Sequence, residues 1–168
     1  MATIERARPA DAGEILTLQR AAYVSEAQLY GDPFIPPLVE SLEQLRKVVE
    51  TSIVLTARED PRGDGRIVGA VRGRIAEPGE QGRSCVVGRL VVAPDRQGQG
   101  IGTALLSAVH DAVLAEHPDV HSFDLFTGHL SDGNLRLYRR QGYRETHRER
   151  LQDHLTLVHL RRPAKLPS

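Results

Sequence analysis

Three glycines, Gly98, Gly100 and Gly102, stand where an apolar strand-like run gives way to good helix formers, in "RQGQGIGTALLSAV" (Arg96 to Val109). Glycine costs a helix interior roughly 1 kcal/mol relative to alanine. Three of them at a helix start need a reason, and the usual one is that something comes very close to the backbone. The flanks fix the local order. "CVVGRLVVA" (Cys85 to Ala93) is apolar throughout and stopped by Pro94, which predicts a strand buried on both faces. Leu105, Leu106, Val109, Ala112 and Val113 recur at helical spacing, which predicts a helix from about Gly100 to Glu116.

The remaining elements alternate around this unit. "ATIERARP" (Ala2 to Pro9) reads as a first strand. Asp11 is placed to cap a helix that carries Ile15, Leu16 and Leu18 and runs to about Ala22. The following "VSEAQLYGDPFIPP" is read as an irregular loop, broken by Gly31 and three prolines. Ser41 caps a second helix with Leu42, Leu45, Val48 and Val49 on one side. Ser52 to Glu59 and Ile67 to Ala76 form a hairpin about the turn-like "DPRGDGR". A strand at His121 to Gly128 precedes a short helix at Ser131 to Gln141, capped by Ser131 or Asp132 and stopped by Gly142. Two strands around "LQD" end the chain. The order β-α-α-β-β-β-α-β-α-β-β is mixed α/β. At 168 residues the chain fits one domain, expected over 1–162, with 163–168 as a loose tail.

Phosphate-binding loops of three kinds compete for the glycine stretch. A triphosphate loop needs G-x-x-x-x-G-K-[ST], and no lysine follows these glycines. A dinucleotide fingerprint counted from Gly98 needs glycine where Thr103 stands, and the stretch follows a hairpin rather than opening a βαβ unit. The third pattern, Q-x-x-G-x-G, is met by Gln97, Gly100 and Gly102. Together with "GRLVVAP" before it and "NLRLYRRQGY" after the next strand, this resembles the GNAT superfamily of acyl-CoA N-acyltransferases. The resemblance covers element order from about residue 2 to 160, and its specific motifs lie between Gly88 and Tyr143.

The resemblance implies a three-layer α-β-α fold. Its central twisted sheet is mostly antiparallel, with one splayed parallel strand pair. It also implies acetyl-CoA as co-substrate and no metal. The pyrophosphate would sit on amides of Gly98, Gln99, Gly100, Ile101, Gly102 and Thr103, beside Gln97. Helix N-termini suit this, because their first N–H groups lack partners and the dipole adds positive charge. The pantetheine arm would pair with backbone of Leu90, Val91 and Val92, and a Leu90 N–H would stabilise the oxyanion. Tyr138 is the implied donor to the departing thiolate. Where many members carry Asn, seven residues before that tyrosine, this chain has Ser131. Asn134 lies four before it instead and is expected to face the pantetheine or Tyr138. Many members also carry a Glu on the strand before the loop, yet residues 84–93 contain no acid. Glu26, Tyr30, Asp32 and His129 are candidates for a base or an acceptor pocket, and a water chain would also serve. The expected activity is N-acetyl transfer to a primary amine, on a small molecule or peptide, by direct attack in a ternary complex. The alternative is a non-catalytic acyl-CoA-binding or sensory module on the same fold.

Composition narrows the partners. Lys plus Arg and Asp plus Glu are both 22, so net charge gives no support for a nucleic-acid or anionic-membrane partner. The arginines between Arg136 and Arg150 are interleaved with Glu145 and Glu149, as on a solvated face. The single cysteine, Cys85, excludes a disulfide within the chain. Inside an apolar strand a thiol is inert, which disfavours an acyl-cysteine route. No H-E-x-x-H or G-x-S-x-G is present. The N-terminus lacks a signal-peptide pattern and no apolar run reaches membrane-spanning length, so a cytoplasmic protein is expected. Edge strands near the C-terminus make a homodimer plausible.

Overall fold

The computed structural model describes residues 2–59, 65–80 and 82–166. Its strands are β1 (Thr3–Arg6), β2 (Ile53–Arg58), β3 (Ile67–Ile75), β4 (Arg83–Val92), β5 (Val120–Gly128), β6 (Arg144–Gln152) and β7 (Leu155–Pro163). They form one sheet in the order β1-β2-β3-β4-β5-β7-β6. Every neighbouring pair is antiparallel except β4 with β5. The helices are α1 (Ala12–Tyr30), α2 (Pro36–Val39), α3 (Leu42–Thr51), α4 (Ile101–Glu116) and α5 (Asp132–Arg140).

Strand alternation puts α1 and α4 on opposite faces. On β3, a Cβ at Gly69 or Gly73 would meet Leu105, Val109 and Val113 of α4. Arg72, of the other parity, reaches Gln19 of α1 and makes a bidentate pair with Glu40 at 2.8 and 2.9 Å. The core fills both layers, with Leu105, Leu106, Val109 and Phe123 fully buried.

The β4–β5 pairing positions everything that follows. Pairing runs from Arg83↔Val120, through a register shift between Arg83 and Ser84, to Val86↔Asp124 and then stops. Beyond Val86 the two strands diverge. On its other side β4 stays on β3, but the ladder jumps from Gly88 to Val91. Arg89 sits in that bulge with φ of 50°, the one positive φ outside glycine among the described residues.

Several boundaries differ from the sequence expectation. Helix α1 does not end near Ala22. It continues to Tyr30 and stops at Gly31, which is left-handed with φ of 64°. Nothing between Val24 and Tyr30 breaks a helix, so the first true stop decides. Glu26 and Tyr30 therefore lie on a helix, not in a loop. Strand β4 is not buried on both faces, because Leu90 and Val92 line the opening left by the splay. Ser131 precedes α5, but its side chain makes no capping bond. The first two residues of the expected loose tail are held: Pro163 pairs with Ser122, and Ala164 is buried and donates its N–H to the His121 carbonyl at 2.8 Å. The Asp60–Arg66 turn lies largely outside the described residues. Ser41 does cap α3: its Oγ accepts from the Gln44 amide at 3.1 Å, and its own amide donates to Gln44 Oε1 at 2.9 Å.

One buried polar cluster ties three elements. Arg162 of β7 donates from Nη1 to His110 Nδ1 (3.0 Å) and to the Gln141 carbonyl (3.2 Å). Arginine has no acceptor, so His110 carries its proton on Nε2 and donates it to the Tyr143 hydroxyl at 2.7 Å. Burial first, and Arg162 second, push the His110 pKa down to about 3.

Candidate active site

The divergence of β4 and β5 opens a cleft of about 660 Å³. Leu90, Val91 and Val92 form one wall, and Ala22, Tyr23 and Glu26 of α1 a second. The turn before α4, the first turn of α4, and Asn134, Leu137 and two arginines of α5 line the rest.

The turn is built by left-handed backbone. Gly98 and Gly100 have φ of 78° and 82°. A Cβ at either would meet nothing within 4 Å, so glycine is required there by the backbone angle and not by space. Gly100 is the N-cap of α4 and offers no side chain to its free amides. The first α4 amide with a backbone acceptor is Ala104, on the Gly100 carbonyl at 3.0 Å. The amides of Ile101, Gly102 and Thr103 precede it and are left for another acceptor. Their residues all line the cleft, so the turn presents an anion site to it.

The cationic side chains here are Arg96, Arg136 and Arg140. Arg96 is held by Glu59 and Asp95. Among the described residues, Arg136 and Arg140 have no carboxylate within ion-pair distance. They are one helical turn apart on α5 and reach the cleft from the same side. Their composition, interleaved with Glu145 and Glu149, reads as a solvated face. The four-residue spacing in "NLRLYRRQGY" was the signal for a shared helix side, but which way that side faced was not local information. Among the described residues Glu26 is the one acid on the cleft wall.

Of the residues singled out from sequence, the structure brings together Leu90, Val91, Val92, Gln97, Gly98, Gly100, Ile101, Gly102, Thr103, Asn134 and Glu26. Asn134 also donates weakly to Thr127 Oγ1 at 3.4 Å. Gln99 is not on the wall. Asp32 is engaged elsewhere, accepting from the Phe34 amide (2.9 Å) and pairing with His154 (3.1 Å). The Phe34 bond first, and His154 second, hold its carboxyl below the usual range. His129 Nδ1 accepts from the Thr156 amide at 3.1 Å. Tyr30 is buried behind the wall.

Tyr138 is not among the cleft-lining residues, although its α5 neighbours Asn134 and Leu137 are. It is 7% exposed, and its ring stands edge-on to Tyr143 at 6.0 Å. Burial holds its phenol protonated, well above the ordinary range, and the phenol feels both Tyr23 and Glu26. Tyr23, on the wall, is raised to about 12, again by burial, with Arg89 opposing. Burial also pushes the Cys85 thiol up to about 12, so almost no thiolate forms near neutral pH. Among the described residues no helix is long and apolar enough to cross a membrane, and no cluster of three or more metal-ligating side chains occurs.

The family model of the acetyltransferase (GNAT) domain matches residues 50–145, which is more than half of the chain. The chain belongs to the GNAT acetyltransferase family. No curated protein matches it by sequence. Solved structures agree on the GNAT fold. A ribosomal-protein-alanine N-acetyltransferase from Brucella melitensis superposes with a TM-score of 0.74 at 22% identity, over 96% of this chain and 99% of that one. An N-acetyltransferase from Staphylococcus aureus gives 0.76 at 15%, over 98% and 99%. NAA60 from Arabidopsis thaliana, solved with acetyl-CoA, gives 0.75 at 17%, over 97% and 98%. At these identities the likeness is one of fold.

Proposed function

We propose that this GNAT protein transfers the acetyl group of acetyl-CoA to a primary amine by direct attack in a ternary complex. The observation that carries the reading is the junction of two features in one cleft. The unpartnered amides at the start of α4 offer an anion site, and the β4 backbone is released from β5 beyond Val86. A pyrophosphate fits the first, with Arg136 and Arg140 adding charge. The amides of a pantetheine arm fit the second, as a strand added to an edge. The structure of a fold relative with acetyl-CoA supports the same ligand.

Within that reading Leu90 N–H stabilises the oxyanion. Tyr138, kept protonated by burial, donates a hydrogen bond to the leaving sulfur. The inert Cys85 supports direct transfer over an acyl-enzyme. Thiol release from acetyl-CoA, measured across amino acids, peptides, polyamines and amino sugars, tests the proposal. Amine-dependent release is expected with at least one acceptor class. Tight acetyl-CoA binding without release from any amine would instead make this a non-catalytic acyl-CoA-binding module.

A further inference from the structure

The chain lacks an acid on the strand before the glycine turn, yet Glu26 stands on the cleft wall from the other side. It is held there by residues distant in sequence. Ser131 Oγ donates to Glu26 Oε2 at 2.7 Å. The Tyr30 hydroxyl is 2.8 Å from the same Ser131 oxygen, and the Leu130 amide donates to the Tyr30 oxygen at 3.0 Å. Each hydroxyl has one proton. Ser131 gives its proton to the carboxylate, so Tyr30 must donate to Ser131, and the chain runs Leu130 N–H to Tyr30 to Ser131 to Glu26. Tyr30 and Ser131 are both buried, at 6% exposure each. The seat is cut to fit: a Cβ on Gly128 would overlap the Tyr30 hydroxyl. Among the described residues the other Glu26 oxygen accepts no hydrogen bond and no cation lies within ion-pair distance.

We infer that Glu26 is the base that deprotonates the incoming amine, with Ser131 and Tyr30 as positioning residues that point and polarise its carboxylate. This rests on the acetyl-transfer reading. Near neutral pH a primary amine is largely ammonium. Glu26 takes one proton from it, directly or through a water. The freed amine then forms the C–N bond and the C–S bond breaks. The second nitrogen proton ends on the departing thiolate, giving amide and thiol. The proton on Glu26 passes to solvent. Other groups that bear on Glu26 are Tyr23 and Tyr30 of α1 and Tyr138 of α5, with Arg136 and Arg140 of α5 and Arg96 before α4 on the same cleft.

The test is kcat/KM against pH for the full chain, with an alanine-initiated tripeptide, a lysine peptide and spermidine as acceptors, and acetyl-CoA affinity by calorimetry. E26Q is expected to lose about 10²- to 10⁴-fold in kcat/KM at neutral pH with acetyl-CoA affinity retained. Its acid limb should move up to the amine's own pKa, about 8 for an α-amine. S131A should lose roughly tenfold and shift the limb to higher pH, because the carboxylate loses its donor; S131T should restore both. Y30F should shift it in the same direction by less. A parent that turns over while E26Q stays within threefold, with its acid limb unmoved, overturns the inference and leaves the transferase reading standing. A parent that binds acetyl-CoA but releases no thiol with any amine overturns both. An S131A variant that loses thermal stability without moving the limb assigns Ser131 a structural role and overturns the positioning claim.

Discussion

At the scale of single residues, two positions decide whether the cleft works as proposed. Tyr138 packs against Tyr143 and has a protonated phenol, so its ring and its hydroxyl have separable duties. Phenylalanine keeps the ring. Tyr138→Phe is expected to lower kcat by about 10²-fold or more with acetyl-CoA binding and melting temperature nearly unchanged. A kcat within threefold of the parent, measured where chemistry limits the rate, would leave Tyr138 with packing alone. Gly100 has the opposite character, since nothing surrounds its missing Cβ but its φ is 82°. Gly100→Glu adds both strain and a negative charge at the amides of Ile101 to Thr103. Acetyl-CoA affinity should fall at least tenfold, or about 1.4 kcal/mol, by calorimetry on folded protein. Unchanged affinity would remove the anion site from this turn.

Elements carry the next level of the argument, because the site is a seam between α1 and the β5–α5 loop. How far this could be seen in the sequence differs by element. Strand β4, the glycine turn and α4 were legible, since an apolar run, Pro94 and a 3.6-residue repeat are local signals. The divergence of β4 from β5 was available only through family resemblance, because nothing in "GRLVVAP" states which neighbour it will leave. Gly31 and the prolines after it suggest a loop from Val24, but Val24 to Tyr30 holds no breaker and α1 runs on to Tyr30. Ser131 was expected as a cap because Ser before a helix usually is one. Its hydroxyl is instead taken by residues 105 and 101 positions away, which no window of sequence reveals. The seam itself is testable at Gly128. Gly128→Ala forces the Tyr30 hydroxyl from its seat, and overpacking of this kind costs about 1–3 kcal/mol. The melting temperature should drop and the acid limb of kcat/KM should move as in Y30F. A variant with parental stability would show that α1 and β5 slide freely past each other.

For the whole molecule, stability and its pH dependence run through the cluster that joins α4, β7 and the turn after α5. Arg162 is 9% exposed, and among the described residues it has no carboxylate within ion-pair distance. It relies on the His110 ring, two carbonyls and the face of Phe123, 5.7 Å from its guanidinium. That arrangement requires a neutral His110, in keeping with the fall of its pKa to about 3, caused by burial first and Arg162 second. The unfolded chain protonates His110 near pH 6.5 while the folded chain does not, so between these values the unfolded state binds the extra proton. The stabilisation is complete above about pH 6.5 and declines as pH falls toward 3, by about 1.4 kcal/mol per unit. From pH 6.5 to 5 the His110 share of the loss is about 2 kcal/mol. His110→Gln keeps a neutral donor and acceptor but cannot titrate. It should be less stable than the parent at pH 7.5, by about 1–3 kcal/mol for imperfect hydrogen bonds. The gap between the two proteins should then narrow as pH is lowered to 5. Urea unfolding of both at the two pH values measures this difference of differences, in which the exposed histidines cancel. A gap that stays constant would mean that His110 protonates as readily in the folded protein as in the unfolded chain.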